Sequence, residues 1–192
     1  MVRELEHRAK NLFAVIQSIV SRTLIEGKTL AAGREVLIGR LNALAQAYSL
    51  LAEAAWQGAP LAEIIQRQFA AFSKRFNLSG CDVVLNTLAT QHFALVIHEL
   101  ATNAMKYGAW SVPTGRVSID CHLRRANGEG SFTFLWKETG GPAVSAPKGK
   151  GFGTAILVDG AKQFGANVSL NYEPKGLHYE LRFPLGAVEA AA

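Results

Sequence analysis

Three polar side chains lie on one face of a predicted helix that runs from Leu88 to about Tyr107. Glu99, Asn103 and Lys106 are spaced at i, i+4 and i+7, which places them on one side of an α-helix, away from its apolar stripe. Carboxylate and amide oxygens are hard ligands that suit Mg²⁺, and an ammonium group suits a phosphate. The spacing therefore favours a site for a metal and a phosphate, but a solvated helix face has the same pattern.

A glycine-rich segment, Gly151-Phe152-Gly153-Thr154, opens another predicted helix that ends near Phe164. Glycines let backbone N–H groups approach an anion closely, and the N-terminus of a helix favours negative charge. The segment predicts either a phosphate cradle or a plain tight turn.

A carboxylate, Glu138, stands at the end of a predicted strand, two residues after Trp136 and shortly before Gly140 and Gly141. A carboxylate in that position could accept a hydrogen bond from the exocyclic amine of a base. A strand end followed by a turn is the simpler alternative.

His7 lies on the first predicted helix, about Arg3 to Ile25, nearly opposite the apolar stripe. An exposed imidazole can act as a nucleophile toward phosphorus, although most histidines in such positions are simply solvated. Of the remaining histidines, His92, His122 and His178 are predicted to be surface residues, on a helix or on outward strand faces.

Two amphipathic helices form the first part of the chain, and the second of them runs from about Ala32 to Ala55. Gly27 is the predicted stop of the first helix, and both stripes repeat close to every 3.5 residues, as in packed antiparallel helices. A hairpin with one apolar seam cannot enclose a core, so it needs either a second copy, giving a four-helix bundle, or the rest of the chain.

After the break at Gly58-Ala59-Pro60, the pattern changes to mixed helices and strands. A helix from Leu61 and a short strand from Cys81 to Leu85 precede the Leu88 helix, and alternating apolar residues predict further strands after it. The predicted fold class is α+β, with helices on one face of a mixed, mostly antiparallel sheet. Residues 187–192 are expected to form a disordered tail.

The composition excludes a disordered, collagen-like or low-complexity chain. The 192 residues are 49% hydrophobic and 18% charged, which fits a folded protein with one good core. The net charge of +5 is as well explained by a nucleotide phosphate site as by nucleic acid. We expect no membrane span and no secretion signal, hence a cytoplasmic protein, in which Cys81 and Cys121 would be free thiols.

Four segments, in this order along the chain, resemble the HWE family of bacterial sensor histidine kinases. They are similar to that family's phosphoacceptor box, N box and two glycine boxes: Glu4 to Asn11, His98 to Ala109, Trp136 to Pro142 and Gly151 to Thr154. The histidine, tryptophan and glutamate that name the family would be His98, Trp136 and Glu138. The resemblance extends from about residue 4 to residue 185.

This resemblance implies a dimerisation and phosphotransfer hairpin at residues 1–57 and a Bergerat-type (GHKL-type) ATP-binding domain at residues 58–186, with ATP and Mg²⁺ as cofactors. His7 would receive the phosphoryl group, and Asn103 would coordinate Mg²⁺. Glu99 would orient or deprotonate the attacking group, with Glu6 as the other candidate base. Glu138 would hold the adenine amine. The remaining residues expected to bind the cofactor are Lys106, Tyr107, Gly140, Gly151, Phe152, Gly153 and Thr154.

The resemblance also implies a homodimer formed through the hairpin and a response-regulator receiver domain as partner, with no nucleic acid. Because no sensor domain precedes His7, the sequence is expected to be part of a longer protein, or to take its signal from another one. Two other functions stay open: a phosphotransfer or scaffold protein with a degenerate ATP domain, and an ATPase of the same fold class in which the N-box glutamate activates water.

Overall fold

The computed structural model describes residues 2–24, 29–72, 74–126, 129–146 and 152–190. It begins with a hairpin of two helices, α1 (Val2–Leu24) and α2 (Leu30–Glu53). Thr29 caps α2, since its side-chain oxygen accepts a hydrogen bond from the Ala32 N–H at 3.3 Å. The predicted hairpin is confirmed, whereas the expected stop at Gly27 lies outside the described residues. None of the described helices has the length and apolarity that a membrane crossing requires.

The hairpin packs against the rest of the chain. Helix α2 lies antiparallel to α4 (Thr87–Lys106). The Tyr48 hydroxyl, late in α2, accepts a hydrogen bond at 3.1 Å from Gln91, early in α4. Gly39, nine residues before Tyr48, packs against the ring of His98, which lies later in α4. The apolar residues of α2 that become buried are Ala43, Leu44, Ala47, Leu50 and Leu51. Of the two possible partners for the hairpin seam, the rest of the chain covers this face of α2.

A five-stranded sheet lies behind α4. The strand order is β2 (Phe76–Ser79), β4 (Arg116–Ala126), β5 (Glu129–Thr139), β7 (Gly176–Pro184) and β6 (Asn167–Glu173). Strands β2 and β4 are parallel and the other neighbours are antiparallel. A second, two-stranded sheet joins β1 (Ala59–Pro60) to β3 (Val84–Leu85). This arrangement confirms the predicted α+β class with a mixed, mostly antiparallel sheet.

Three shorter helices complete the fold: α3 (Leu61–Gln68), α5 (Phe152–Thr154) and α6 (Leu185–Val188). Helix α5 continues into a π-helical segment, Ala155–Gly160. The core between α4 and the sheet is aromatic, with ring contacts among Phe93, Phe132, Phe134 and Phe183.

The strand predicted from Cys81 to Leu85 is wrong in its bounds. The chain forms β2 earlier, then turns at Gly80, whose φ is +68°, and only Val84 and Leu85 of the predicted strand pair with another strand. A Cβ on Gly80 would lie 2.3 Å from the Cys121 carbonyl oxygen, so this close crossing requires glycine.

The prediction of two free thiols is also wrong, because Cys81 and Cys121 form a disulfide. The parallel register that pairs Ser79 with Asp120 places Cys81 beside Cys121. Their separation of 40 residues has no local signature, so only the strand pairing reveals the contact.

The disordered tail is wrong for residues up to Ala190. Val188 is fully buried, Glu189 pairs with Leu85, and the Ala190 N–H donates to the Val84 carbonyl at 2.9 Å. Residues 191–192 lie outside the described part of the chain.

His92, predicted to be a surface residue, is buried with 7% of its area exposed. Helix α4 is covered by the sheet on one side and by the hairpin on the other, so its polar face is enclosed around His92. The imidazole packs against Phe164, and burial lowers its pKa to about 4.

This burial predicts a specific loss of stability in acid. Between about pH 6.5 and pH 4 the unfolded chain binds a proton at His92 and the folded chain does not, so the free energy of unfolding falls as the pH falls through this window. The loss should reach about 3 kcal/mol, and His92→Phe should remove it. Urea unfolding at several pH values measures the effect. The same substitution at exposed His122 is the control, and equal pH dependence in the wild type and His92→Phe would contradict the assignment.

Candidate functional site

Glu138 is held in a buried position at the end of β5. The Trp136 indole N–H donates to its Oε1 at 3.1 Å, and the backbone N–H of Ala109 donates to its Oε2 at 2.7 Å. Trp136 and Glu138 are two residues apart on a strand, so they face the same side of the sheet. Burial raises the pKa of Glu138, and the two hydrogen bonds oppose that rise.

Glycines leave room around this carboxylate. A Cβ on Gly108 would lie 2.0 Å from Glu138 Oε2, and one on Gly176 would lie 2.2 Å from the Glu138 carbonyl oxygen. The Gly140 backbone has a φ of +69°, and a Cβ on Gly141 would lie 2.7 Å from the Cα of Ala109. Gly108 and Ala109 lie at the end of the segment that resembles the N box, but the sequence assigned no role to either residue.

Glu99 is buried rather than solvated, with 6% of its area exposed. Arg40 of α2 donates to both of its oxygens, from Nε to Oε1 at 2.7 Å and from Nη2 to Oε2 at 3.2 Å. Arg40 Nη1 also donates to the Thr23 hydroxyl of α1 at 2.7 Å. One arginine thus connects both hairpin helices to the carboxylate of α4.

Sequence reasoning missed Arg40, although a signal was present. Arg40 follows Leu37 by three residues and precedes Leu44 by four, so a charged group stands within the apolar stripe of α2. A buried charge requires an opposite charge nearby, and Glu99 supplies it.

Glu99 also contacts the glycine-rich segment. A Cβ on Gly153 would lie 2.8 Å from Glu99 Oε2, so the start of α5 packs directly over this carboxylate. The structure therefore brings together two of the predicted site residues that are 54 positions apart in the sequence. Thr154, the next residue, is half-buried.

The other predicted site residues lie near the C-terminal end of α4, beside Glu138, or outside the residues that the structure describes. Asn103, one helical turn after Glu99, is half-buried, and Lys106 and Tyr107 are exposed. Gly140 is exposed beside Glu138. Gly151 lies outside the described residues, as does the side chain of Phe152.

His7 is not brought to this site. Its backbone belongs to α1, and its side chain lies outside the described part of the structure. Thr23, which contacts Arg40, lies more than four helical turns further along α1, about 24 Å at 1.5 Å per residue.

His98 has a structural position between the hairpin and α3. Its Nδ1 lies 3.1 Å from Gln68 Nε2, and a Cβ on Gly39 would lie 3.0 Å from the ring. Burial lowers the pKa of His98. The histidine therefore fills the contact between α2 and α4 one residue before Glu99.

The donor set fits a magnesium nucleotide. Asn103 and Glu99 offer oxygen ligands, and Mg²⁺ bound to nucleotide phosphates needs only one or two from the protein. Gly153 packs against Glu99, since a Cβ at that position would lie 2.8 Å from Glu99 Oε2. Among the described residues, no group of three or more His, Cys, Asp or Glu side chains could hold a metal by itself.

The chain is similar to proteins that are named histidine kinases. Residues 4–82 match the family model of the HWE histidine kinase. The chain is 34% identical over 192 residues to a blue-light-activated histidine kinase of Brucella anthropi, covering 97% of this chain and 39% of that protein. A blue-light-activated histidine kinase of Brucella ovis is 32% identical over 95% of this chain and 38% of its own length.

A solved structure shares the fold. The histidine kinase domain of a blue-light activated histidine kinase from Erythrobacter litoralis superposes with a TM-score of 0.67, at 17% identity, over 91% of this chain and 84% of that one. The chain therefore shares the fold of that histidine kinase domain. Over residues 4–82 the chain matches the HWE histidine kinase family, and its relatives at 30% identity or more are named histidine kinases. It spans about two fifths of the length of the curated relatives it matches.

The packing around Glu138 yields a test. Gly108→Ala should lower the free energy of unfolding by about 1–3 kcal/mol, because its methyl group would collide with the Glu138 carboxylate and approach Ala104. Gly33→Ala, in the interior of α2 with nothing within 4 Å of its Cβ, should instead raise stability by about 0.5–1 kcal/mol. Denaturant unfolding compares the two variants, and equal stabilities would refute the close packing at Gly108.

Proposed function

We propose that this chain is the core of an ATP-dependent histidine kinase, which phosphorylates His7 from Mg·ATP and passes the phosphoryl group to an aspartate of a response-regulator receiver domain. The observation that carries the proposal is the buried Glu138, fixed by Trp136 and Ala109 among close-packed glycines. An enclosed carboxylate acceptor suits the exocyclic amine of adenine.

Glu138 would bind the adenine at one end of the site, and the residues around Glu99 would bind the phosphates at the other end. An ionised carboxylate has about four acceptor positions, so Glu138 keeps capacity for the adenine amine after its two protein hydrogen bonds. Gly140 lies beside Glu138 and would border the base, while Tyr107, at the end of α4, would flank it. Lys106, two residues before the bend at Gly108, is exposed and free to reach a phosphate.

The phosphates belong near Glu99 and the start of α5. Gly151, Phe152, Gly153 and Thr154 would supply backbone N–H groups to the phosphate oxygens. Asn103 would hold Mg²⁺, which when bound neutralises charge on the phosphates. Glu99 would orient the His7 imidazole or accept its proton, so that a ring nitrogen can attack the terminal phosphorus.

The organisation of the protein follows from the same proposal. Residues 1–57 would form the phosphoacceptor and dimerisation unit, and residues 58–186 the ATP-binding unit. Among the hairpin side chains that the structure describes, three large apolar ones are exposed and could contact a second copy: Phe13, Leu30 and Ile38. Since the relatives are named blue-light-activated and are much longer, we propose an input domain that precedes α1 and a cytoplasmic location.

Labelling with γ-phosphate-labelled ATP and Mg²⁺ tests the proposal. The wild type should gain label that is lost in acid and kept in alkali, as expected for a phosphohistidine, and His7→Ala should gain none. His122→Ala, which removes an exposed histidine on β4, should label like the wild type.

Nucleotide binding must be measured alongside. His7→Ala should bind ATP as the wild type does, whereas Glu138→Ala should bind at least about tenfold more weakly, for the loss of a hydrogen bond to a charged acceptor. Label on His7→Ala would contradict the phosphoacceptor role. Release of inorganic phosphate without any phosphoprotein would instead indicate an ATPase, and absence of ATP binding would indicate a relay protein.

A further inference from the structure

The Arg40–Glu99 ion pair closes one end of the proposed phosphate site. Arg40 is 2% exposed and uses both its Nε and Nη2 on the carboxylate, so Glu99 faces the hairpin. Thr23, 1% exposed, accepts a hydrogen bond from Arg40 and donates one to the Ile19 carbonyl. We call this connected set of Thr23, Arg40 and Glu99 the clamp.

The directions of α1 and α4 place His7 far from the clamp. Val15, Ser18 and Ile19 of α1 lie across a cavity from the first half of α4, and Thr23 lies near Glu99 in its second half. Helices α1 and α4 therefore run in the same direction. His7 precedes Val15 by about 12 Å along α1, so it lies toward the opposite end of α4 from Asn103.

We infer that the clamp is an inhibitory contact, which holds Glu99 away from the reaction and His7 away from the same molecule's nucleotide. This inference rests on the proposed function. For Glu99 to act on His7, the carboxylate must leave Arg40, and either α1 or the ATP-binding sandwich must move. Mg·ATP and an approaching imidazole would compete with Arg40 for Glu99.

Two features of the fold make such a movement feasible. A cavity of about 320 Å³ separates α1 from α4 and the π-helical segment, so α1 is not close-packed there. The chain between α2 and β1 has positive φ values at Ala55, Trp56 and Gly58, a conformation that costs energy in the two non-glycine residues. This segment is placed to act as a hinge.

The buried Arg40–Glu99 ion pair is better suited to a reversible contact than to stabilising the fold. Moving two charges out of water costs free energy that their attraction roughly repays, so the net stabilisation of the closed form is small. Breaking the pair while the carboxylate stays buried is strongly unfavourable. The closed state therefore has one defined geometry. A ligand that binds Glu99 in place of Arg40 can nevertheless shift the population toward the open state.

Three variants test the clamp. Arg40→Met removes the guanidinium, and Thr23→Val removes the hydroxyl while leaving the ion pair intact. Arg67→Met is the matched control, because Arg67 also joins the sandwich to α2, through Glu53 at 2.7 Å, but on the exposed surface and away from Glu99. Hydrogen exchange of α1 and α2 peptides reports opening without requiring activity, and labelling from ATP reports the reaction.

Arg40→Met and Thr23→Val should exchange faster in α1 and incorporate label faster, by on the order of tenfold, as expected for the loss of a hydrogen bond to a charged group. Arg67→Met should match the wild type in both measurements. If Arg40→Met fails to fold, Thr23→Val alone decides the question.

Unchanged exchange in folded variants would overturn the clamp, whatever the label does. Faster exchange with slower labelling and unchanged ATP binding would also overturn it, because Arg40 would then support the active arrangement. If neither the wild type nor any variant is labelled, the proposed function fails, while the exchange rates still decide whether the contact restrains the hairpin.

Discussion

The relation between the two parts of this molecule depends on one buried charge, the carboxylate of Glu99. A carboxylate enclosed by apolar helices cannot stay ionised without a partner, and Arg40 from the hairpin supplies it at 2.7 Å. That requirement draws α2 along α4 and fixes Thr23 of α1 next to it. Under the proposed function Glu99 would also face a magnesium nucleotide, so the hairpin and the nucleotide would compete for the same carboxylate.

Glu138 imposes a second constraint, at the other end of the site. Its position needs a tryptophan two residues earlier, a free backbone N–H at Ala109 and no side chain at Gly108. These requirements bind the end of α4 to the end of β5, so the family's tryptophan and glutamate form one structural unit. Under the proposed function this unit would be a rigid acceptor for the base, while Glu99 would exchange partners at the phosphate end.

Most of the fold could be predicted from residue patterns, because amphipathic helices and alternating strands have local signatures. The hairpin, α4 and the long strands follow their patterns closely, and the four ordered segments indicated the family.

The features that could not be predicted all depend on pairing between distant residues. The Cys81–Cys121 disulfide needs the parallel register of β2 and β4, the burial of His92 needs the hairpin on top of α4, and the order of the tail up to Ala190 needs its contact with β3. Arg40 could have been questioned as a charge in an apolar stripe, but its partner could not have been named.

The most direct test of this account is a crystal structure of the chain with Mg²⁺ and a non-hydrolysable ATP analogue. The account predicts that the adenine amine lies within hydrogen-bond distance of Glu138, and that Glu99 has left Arg40 and faces the phosphates. A nucleotide bound away from Glu138, or a bound triphosphate beside an intact Arg40–Glu99 pair, would contradict it.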